Sequence, residues 1–353
     1  MSKYQLMERT GSVPTTNRSD VARHEVVNDL GDSARRFLRN KHSQNTQNAY
    51  QSDARVFTEW CYLQSPQIIP VHATAANICD FLADQADGEL CRWVWTDKAN
   101  KVGTLEDGRP LAYSTIYRRL NGVKFALRQL GRSFNEAELN IFKEMLQGIA
   151  SENGTEKKKV KGIGPDELKL IFKDFDLKDQ IDLRDRALIM LLYAGAYRRS
   201  EVSAILTKNV KFVPGKGVEI KLTRAKRKIN GITKSIVEGD DLCPVKFLQD
   251  YINASGIESG FLFRRTNRSR KMLAEPLSGH SIYNIIKARC EQAGLKGRYG
   301  GHSGRRGFVD TSLRAGKPIN KVMEMTGHSN MQTVQEYFDQ NERWKDNAGS
   351  GLY

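Results

Sequence analysis

The 353-residue chain has five cysteines, six histidines and no apolar run approaching the ~20 residues that span a bilayer. The cysteines (Cys61, Cys79, Cys91, Cys243, Cys290) are odd in number and scattered, without paired short spacing. That excludes a disulfide framework and a zinc-type set, and predicts reduced intracellular thiols. The histidines also lack metal-ligand spacing, so neither a metal nor another cofactor is expected. No GxxxxGK[ST] stretch occurs, which excludes a P-loop nucleotide site. The opening residues, MSKYQLMERTGSVPTTNRSD, have no apolar signal core, so no export and no membrane partner is expected.

What is present is length and positive charge. The chain is longer than one ordinary core holds, so two domains are expected, and 39% apolar residues suffice to fill them. Net charge is +15. Residues 1–160 carry 22 basic and 19 acidic side chains, residues 161–353 carry 34 and 22, so the excess sits in the second half. Such a field attracts polyanions, nucleic acid above all, through phosphate neutralisation and counterion release.

Patterning divides the chain. Residues 1–30 read as a flexible arm, and residues 31–150 as a small all-helical bundle. In TQNAYQSDARVFTEWCYL, Tyr50, Ala54, Phe57 and Cys61 form one stripe. TAANICDFLADQA gives another through Ile78, Phe81 and Leu82. YSTIYRRLNGVKFALRQLG gives a third through Ile116, Leu120, Val123 and Leu127, closed by Gly131. DKANKVGTLEDGRP reads as a loop. Residues 151–164 (SENGTEKKKVKGIG) read as a linker. Residues 165–340 form the second domain, with a buried helix at LRDRALIMLLYAGA and helices at CPVKFLQDYINAS and GHSIYNIIKARCEQAG. Between them, KFVPGKGVEIKLTRAKRKINGITKSIVEG alternates between glycine turns and predicts a small antiparallel sheet. Residues 341–353 are a tail.

Four stretches carry candidate chemistry. In YAGAYRRSEVSAI, Arg198 and Glu201 follow the most apolar helix, and an i, i+3 acid pairs and fixes the guanidinium there; alone, this is an ordinary salt bridge. HSGRRG sets His302 and Arg305 on one helical face, where both reach one phosphate oxygen; arginine suits this because its planar fork stays charged. KPINKVMEMTG predicts a short helix started by Pro318 and stopped by Gly327. Ser329 and Gln332 then form a capping-box pattern for a next helix, with Met331, Val334 and Phe338 as its buried stripe. His328 to Tyr337 spans roughly 13 Å along such a helix, and locally Tyr337 reads as a packing residue. Last, KLTRAKRKINGITK is a basic hairpin in which Arg224, Lys226, Arg227 and Lys228 crowd a turn.

In type, order and spacing, Arg198, Lys226, His302, Arg305, His328 and Tyr337 resemble the tyrosine recombinase (phage integrase) family over about residues 165–340. The helical first half, the length and GHSGRRG look most like its Cre-type subgroup; at the His328 position Cre has tryptophan and many integrases histidine. The resemblance implies a mainly α fold with a small antiparallel sheet. Its two domains, a DNA-binding helical bundle and a mixed α+β catalytic domain, would close as a C-shaped clamp on DNA. It implies that Tyr337 attacks phosphorus to form a 3′-phosphotyrosyl intermediate. Arg198, fixed by Glu201, and Arg305 hold the non-bridging oxygens, and His302 is proton acceptor or transition-state partner. His328 donates to another oxygen, and Lys226 protonates the leaving 5′ oxygen. Lys221, Lys228 and Lys234 lie near Lys226, and aligning IKLTRAK on the second hairpin strand favours Lys226. DNA contacts are assigned to Arg118, Arg119 and Lys124 on the third helix and to Arg224, Arg227 and Lys228 on the hairpin. SGHSIYNIIKARC becomes a DNA-reading helix with His280 and Lys287, followed by Arg298.

The partners implied are a duplex target with inverted arms around a spacer, and a homotetramer on two such sites. The tail NERWKDNAGSGLY would dock on a neighbour through Trp344. The setting would be the cytoplasm, on DNA, in a bacterial, phage or plasmid context. A type IB topoisomerase shares the chemistry, and a non-catalytic DNA-binding regulator shares the helix–Gly–helix pattern; both stay open as alternatives.

Overall fold

Helix α1 (Gln44–Leu63) starts where Ser43 Oγ accepts the Thr46 amide, relieving one of the donors that a helix start leaves open. In the computed structural model, residues 31–33, 42–90, 92–97, 102–156, 159–222, 231–328, 331 and 334 are described. The chain divides into two units between Lys158 and Lys159.

In the first unit, α1 packs against α3 (Tyr113–Gln129) and touches α2 (Ala75–Asp87) through Phe57 and Phe81, while α2, α3 and α4 (Glu136–Asn153) pack against one another. Capping boxes start α2 (Thr74 with Asn77) and α4 (Asn135 with Glu138). The expected stripes of α2 and α3 are buried as read. On α1 the buried face is Asp53, Phe57, Trp60 and Cys61, with Tyr50 and Ala54 only partly covered. The acid on that face pairs with Arg118 and lies 3.7 Å from Arg119, both on α3. A side chain at Gly122 would run into Asp53, so glycine lets α3 approach α1 there. The all-helical expectation fails at one place. Arg92–Asp97 (β1) and Val102–Glu106 (β2) pair as an antiparallel ribbon, β2 lying within the stretch expected to be a loop; the β-branched and aromatic run RWVWT satisfies its backbone by pairing. Helix α4 also continues to Asn153, into the expected linker.

The second unit runs α5 (Pro165–Phe172), α6 (Gln180–Ala194), α7 (Arg199–Ser203), β3 (Val210–Val213), β4 (Gly217–Leu222), β5 (Ile232–Val237), α8 (Pro244–Ser255), β6 (Arg264–Thr266), β7 (Met272–Pro276), α9 (Gly279–Gln292), α10 (Ser303–Arg314) and α11 (Ile319–Thr326). Strands β3, β4 and β5 form the expected antiparallel meander, and the β6–β7 hairpin is additional. Helix α6 is buried along almost its whole length, as its apolar run predicts. Its three buried charges, Arg184, Asp185 and Arg186, are ion-paired, and Asp185 with Asp182 receives Arg289 of α9. Helix α10 lies close against its neighbours because two glycines allow it. A side chain at Gly304 would meet the Leu192–Tyr193 backbone, and one at Gly307 the Ile163 carbonyl. Helix α11 ends at Gly327, φ 68°, in the left-handed turn that glycine favours. Beyond it, Val334 joins Val309 and Val322 in a small buried cluster, whereas Met331, expected on the same stripe, is 49% exposed. Ser329, Gln332 and Phe338 lie outside the described residues. Among the described residues, no helix is long and apolar enough to cross a membrane.

Candidate active site

The turn that ends α6 builds the site. Ala196 has φ 46°, a conformation costing a non-glycine residue about 1–3 kcal/mol, so surrounding contacts must hold it. Two cations do. Arg305 Nη1 donates to the Ala196 carbonyl at 2.8 Å, and Lys234 Nζ donates to the Gly195 carbonyl at 2.6 Å. The chain then leaves the turn into α7 with Arg198 as N-cap. Glu201, buried one turn on, accepts twice from Arg198, from Nη1 at 2.7 Å and from the backbone N–H at 2.9 Å. The i, i+3 pair read from the sequence is therefore real, and its carboxylate orients both the side chain and the backbone of Arg198.

Arg305 is almost fully buried, 2% exposed, in the first turn of α10. Its Nη2 lies 2.9 Å from His328 Nε2, and His328 Nδ1 lies 3.0 Å from Thr326 Oγ1. Burial first, then Arg305, Arg198 and Lys234, push the His328 pKa down to about 4, so the ring is neutral at neutral pH. His302 stands exposed at the N-cap of the same helix. Arg305, Arg198, Glu201, Lys234 and His328 therefore share one electrostatic neighbourhood, in which, among these described residues, the Glu201 carboxylate faces three basic side chains. Such a concentration of positive charge suits an anion with several oxygens, because a guanidinium fork offers more than one donor to it.

Sequence reasoning missed Lys234, Tyr197, Arg199 and Thr326 as parts of this assembly. Burial, with Arg305 and Arg198 opposing and Glu201 partly compensating, pushes the Lys234 pKa down to about 7. Arg199 donates to the Gly279 carbonyl at 3.0 Å and lies over the Tyr283 ring. Its side chain fills the space beside Gly301, linking the GGHSG turn to the start of α9.

Other assigned residues are more dispersed. Arg224, Lys226, Arg227, Lys228 and Tyr337 lie outside the described residues. Lys221 points outward on β4. On α3, Arg118 is exposed and ion-paired with Asp53, whereas Arg119 is largely covered and donates to Gln85 at 3.2 Å. Arg119 thus serves its own unit's interior. Burial first, then Arg128, lowers the Lys124 pKa. His280, Lys287 and Arg298 are exposed on and after α9, Lys287 standing 3.6 Å from Glu291.

Known proteins are similar to this chain in sequence and fold. The chain is similar to an integrase/recombinase xerD homolog of Selenomonas ruminantium, 29% identical over 340 residues covering 94% of this chain and 92% of that protein. It is similar to the tyrosine recombinase XerC of Pelotomaculum thermopropionicum, 26% identical over 64% of this chain and 71% of that one. Its fold matches XerH site-specific recombinase bound to palindromic difH substrate, with TM-score 0.57 and 16% identity over 82% and 75% of the two chains. It also matches the Tn1549 transposon integrase in complex with a circular intermediate DNA, with TM-score 0.55 and 12% identity over 87% and 93%. The phage integrase family model covers residues 162–343, just over half of the sequence, and the chain belongs to that family. Fold and family together define a tyrosine recombinase. The relatives named here are Xer-type and integrase proteins; the Cre-type placement rests on motif likeness alone.

Proposed function

We propose that this protein is a site-specific recombinase that cuts and rejoins duplex DNA through a 3′-phosphotyrosyl intermediate at Tyr337, exchanging strands between two inverted-repeat sites within a homotetramer. The observation that carries this reading is the convergence of Arg198, held by Glu201, with Arg305 and His328 around one turn.

Arg305 Nη2 donates to His328 Nε2. A scissile phosphate takes over that donor, and its negative charge raises the His328 pKa, so that Nε2 acquires a proton to donate to the same phosphate. Arg198 and Arg305 stabilise the charge that builds on the non-bridging oxygens, and removing one such preorganised donor costs on the order of 10²–10³ in rate. His302, at the exposed start of α10, takes the proton from Tyr337, whose ordinary pKa near 10 demands a base. Lys226 protonates the 5′ oxygen as the P–O bond breaks. The phosphotyrosine ester keeps the energy of the broken backbone bond, so rejoining needs no ATP, and fixed cations supply the charge that metal ions provide elsewhere. The two units would clamp the duplex, with α9 and the β4–β5 hairpin reading or gripping DNA.

The test begins with a randomised duplex library, from which the wild-type chain is trapped in covalent complex with its site. Tyr337→Phe should bind the recovered duplex with unchanged affinity and form no adduct; a persistent adduct would place the nucleophile elsewhere. Cleavage should survive EDTA, and a pair of recovered sites should exchange strands. Relaxation of supercoils without exchange would favour the topoisomerase alternative.

A further inference from the structure

We infer that Lys234 is a positioning residue of the cleavage site: its ammonium group, delivered from β5, fixes the Gly195–Arg198 turn that presents Arg198 to the scissile phosphate. The inference rests on the recombinase reading above.

The placement of Lys234 is anomalous for a strand. Along β5, Thr233, Ser235 and Val237 face outward, and Ile232, Lys234 and Ile236 face the core. Its cross-strand neighbour on β4 is Ile220, fully buried, and Val218 and Leu222 of the same inner row are also buried. Packing alone calls for an aliphatic residue here, because an enclosed ammonium loses its hydration. Lys234 is nonetheless 5% exposed. Among the described residues, no carboxylate stands within ion-pair distance of its amine. What receives the charge is the turn itself: the Gly195 carbonyl at 2.6 Å and the face of Tyr197, whose ring centroid lies 4.4 Å from Nζ.

Those two contacts bracket Ala196, the residue with φ 46°. The next carbonyl along, that of Ala196, belongs to Arg305. Two cations from separate elements, β5 and α10, therefore grip consecutive carbonyls of one turn. Gly195 cannot carry a side chain because the Tyr197 ring folds back over it. The Tyr197 hydroxyl is buried with no hydrogen-bond partner, so the ring is oriented by packing and by the ammonium beneath it, not by its own polar atom. Loss of the ammonium frees the Gly195 carbonyl and the ring together, and both sit within three residues of Arg198. The charged groups that act on Lys234 are Glu201 and Arg198 of the α7 segment and Arg305 of α10. Both of its close contacts lie within the turn, so its geometry is that of a brace and not of a proton donor aimed at a leaving group.

The test uses the full-length chain and the duplex recovered by covalent trapping. A second version of that duplex carries sulfur at the bridging 5′ position of the scissile phosphate. A thiolate, with a reference pKa near 8.5, leaves without the proton that an alkoxide requires. Lys234→Met should bind the duplex with wild-type affinity but cleave it roughly 100-fold more slowly at saturation, the scale expected when a catalytic group is displaced by about 1 Å. Lys234→Arg, which restores a charged donor, should recover much of the rate. The Lys234→Met defect should persist on the sulfur-bridged duplex, whereas a Lys226→Met defect should largely vanish there.

Wild-type cleavage by Lys234→Met overturns the inference. So does rescue of Lys234→Met by bridging sulfur, which would make Lys234 the proton donor. Parallel loss of DNA binding and thermal stability in both Lys234 variants would reduce it to a fold residue. If the wild-type chain trapped no duplex at all, the recombinase reading would fail instead.

Discussion

Arg305 Nη2 stands 2.9 Å from His328 Nε2, while His328 Nδ1 stands 3.0 Å from Thr326 Oγ1. A guanidinium only donates, so Nε2 of the neutral ring accepts, and the ring proton sits on Nδ1. That proton goes to Thr326 Oγ1, whose own hydrogen is given to the Val322 carbonyl at 2.8 Å. A buried threonine at the end of α11 thus sets the tautomer of the residue that meets Arg305.

Thr326→Val keeps the shape and removes the acceptor. We expect it to lower the single-turnover cleavage rate by roughly tenfold, near 1.4 kcal/mol, while Thr326→Ser stays close to wild type. Nitrogen NMR of labelled histidine should show a single Nδ1–H tautomer in wild type and a mixture in Thr326→Val. Equal rates in all three proteins would separate the tautomer from catalysis.

The depressed His328 pKa gives a second test, with a definite sign. The folded value, about 4, lies below the ordinary 6.5, so the unfolded chain takes up the proton first as pH falls. The contribution of neutral His328 to stability is therefore intact above about pH 6.5 and is lost progressively as pH falls toward 4. The urea midpoint of wild type minus that of His328→Gln should shrink across this window. A histidine titration midpoint near 6.5 in the free protein would contradict the buried environment described here.

Much of the fold was legible because single-period patterns dominate it. The stripes of α2 and α3, the buried α6 and the Pro318-to-Gly327 limits of α11 follow from spacing and capping chemistry. Arg198 and Glu201 were legible because three residues in a helix bring them together. The Arg305–His328 contact bridges 23 positions, and no local pattern encodes it. The β1 and β6 segments were missed because short strands with polar flanks carry weak alternation. Lys234 is the instructive case. By composition it is one of several basic hairpin residues, yet the period of ITKSIV sets it on the isoleucine face.

The Glu201 carboxylate is bonded to both the Arg198 fork and the Arg198 backbone. Arg198→Lys leaves a point charge in place of the fork and should slow cleavage on the order of 10²-fold with little change in DNA affinity. Glu201→Gln retains one acceptor and loses the charge, so a smaller defect of roughly tenfold is expected, about 1.4 kcal/mol. Single-turnover rates at saturating DNA measure both. Normal turnover in Arg198→Lys would demote the pair to a structural salt bridge.

Gly307 tests the packing that seats Arg305. A side chain there would collide with the Ile163 backbone carbonyl, and backbone has no rotamer with which to yield. Gly307→Ala should destabilise the second unit by about 1–3 kcal/mol, the usual range for overpacking, with the denaturant midpoint falling and the slope unchanged. Gly316, next to open space at the end of α10 with φ 69°, makes a useful contrast. Its replacement by alanine costs only the strain of a left-handed turn, about 1 kcal/mol.

Lys234 gives the last prediction, on stability instead of rate. Its pKa in the folded chain, about 7, lies below the ordinary lysine value of 10.5, so between these values the unfolded chain holds the proton and the folded chain releases it. Below about pH 7 both states are charged, and the folded one bears the full cost of enclosing an ammonium. As pH rises from about 7 to 10.5 that cost is relieved, and wild-type stability should climb relative to Lys234→Met. At pH 6, Lys234→Met should be the more stable protein, by roughly 1–4 kcal/mol, as when other buried charges give way to well-packed apolar side chains. The advantage should narrow steadily toward pH 10. Denaturant unfolding of both proteins at four or five pH values decides this, and a constant difference would mean that the ammonium does not titrate in this range. A variant more stable than wild type at pH 6 and yet impaired in cleavage would identify Lys234 as a residue retained for the chemistry of the site at the expense of the fold.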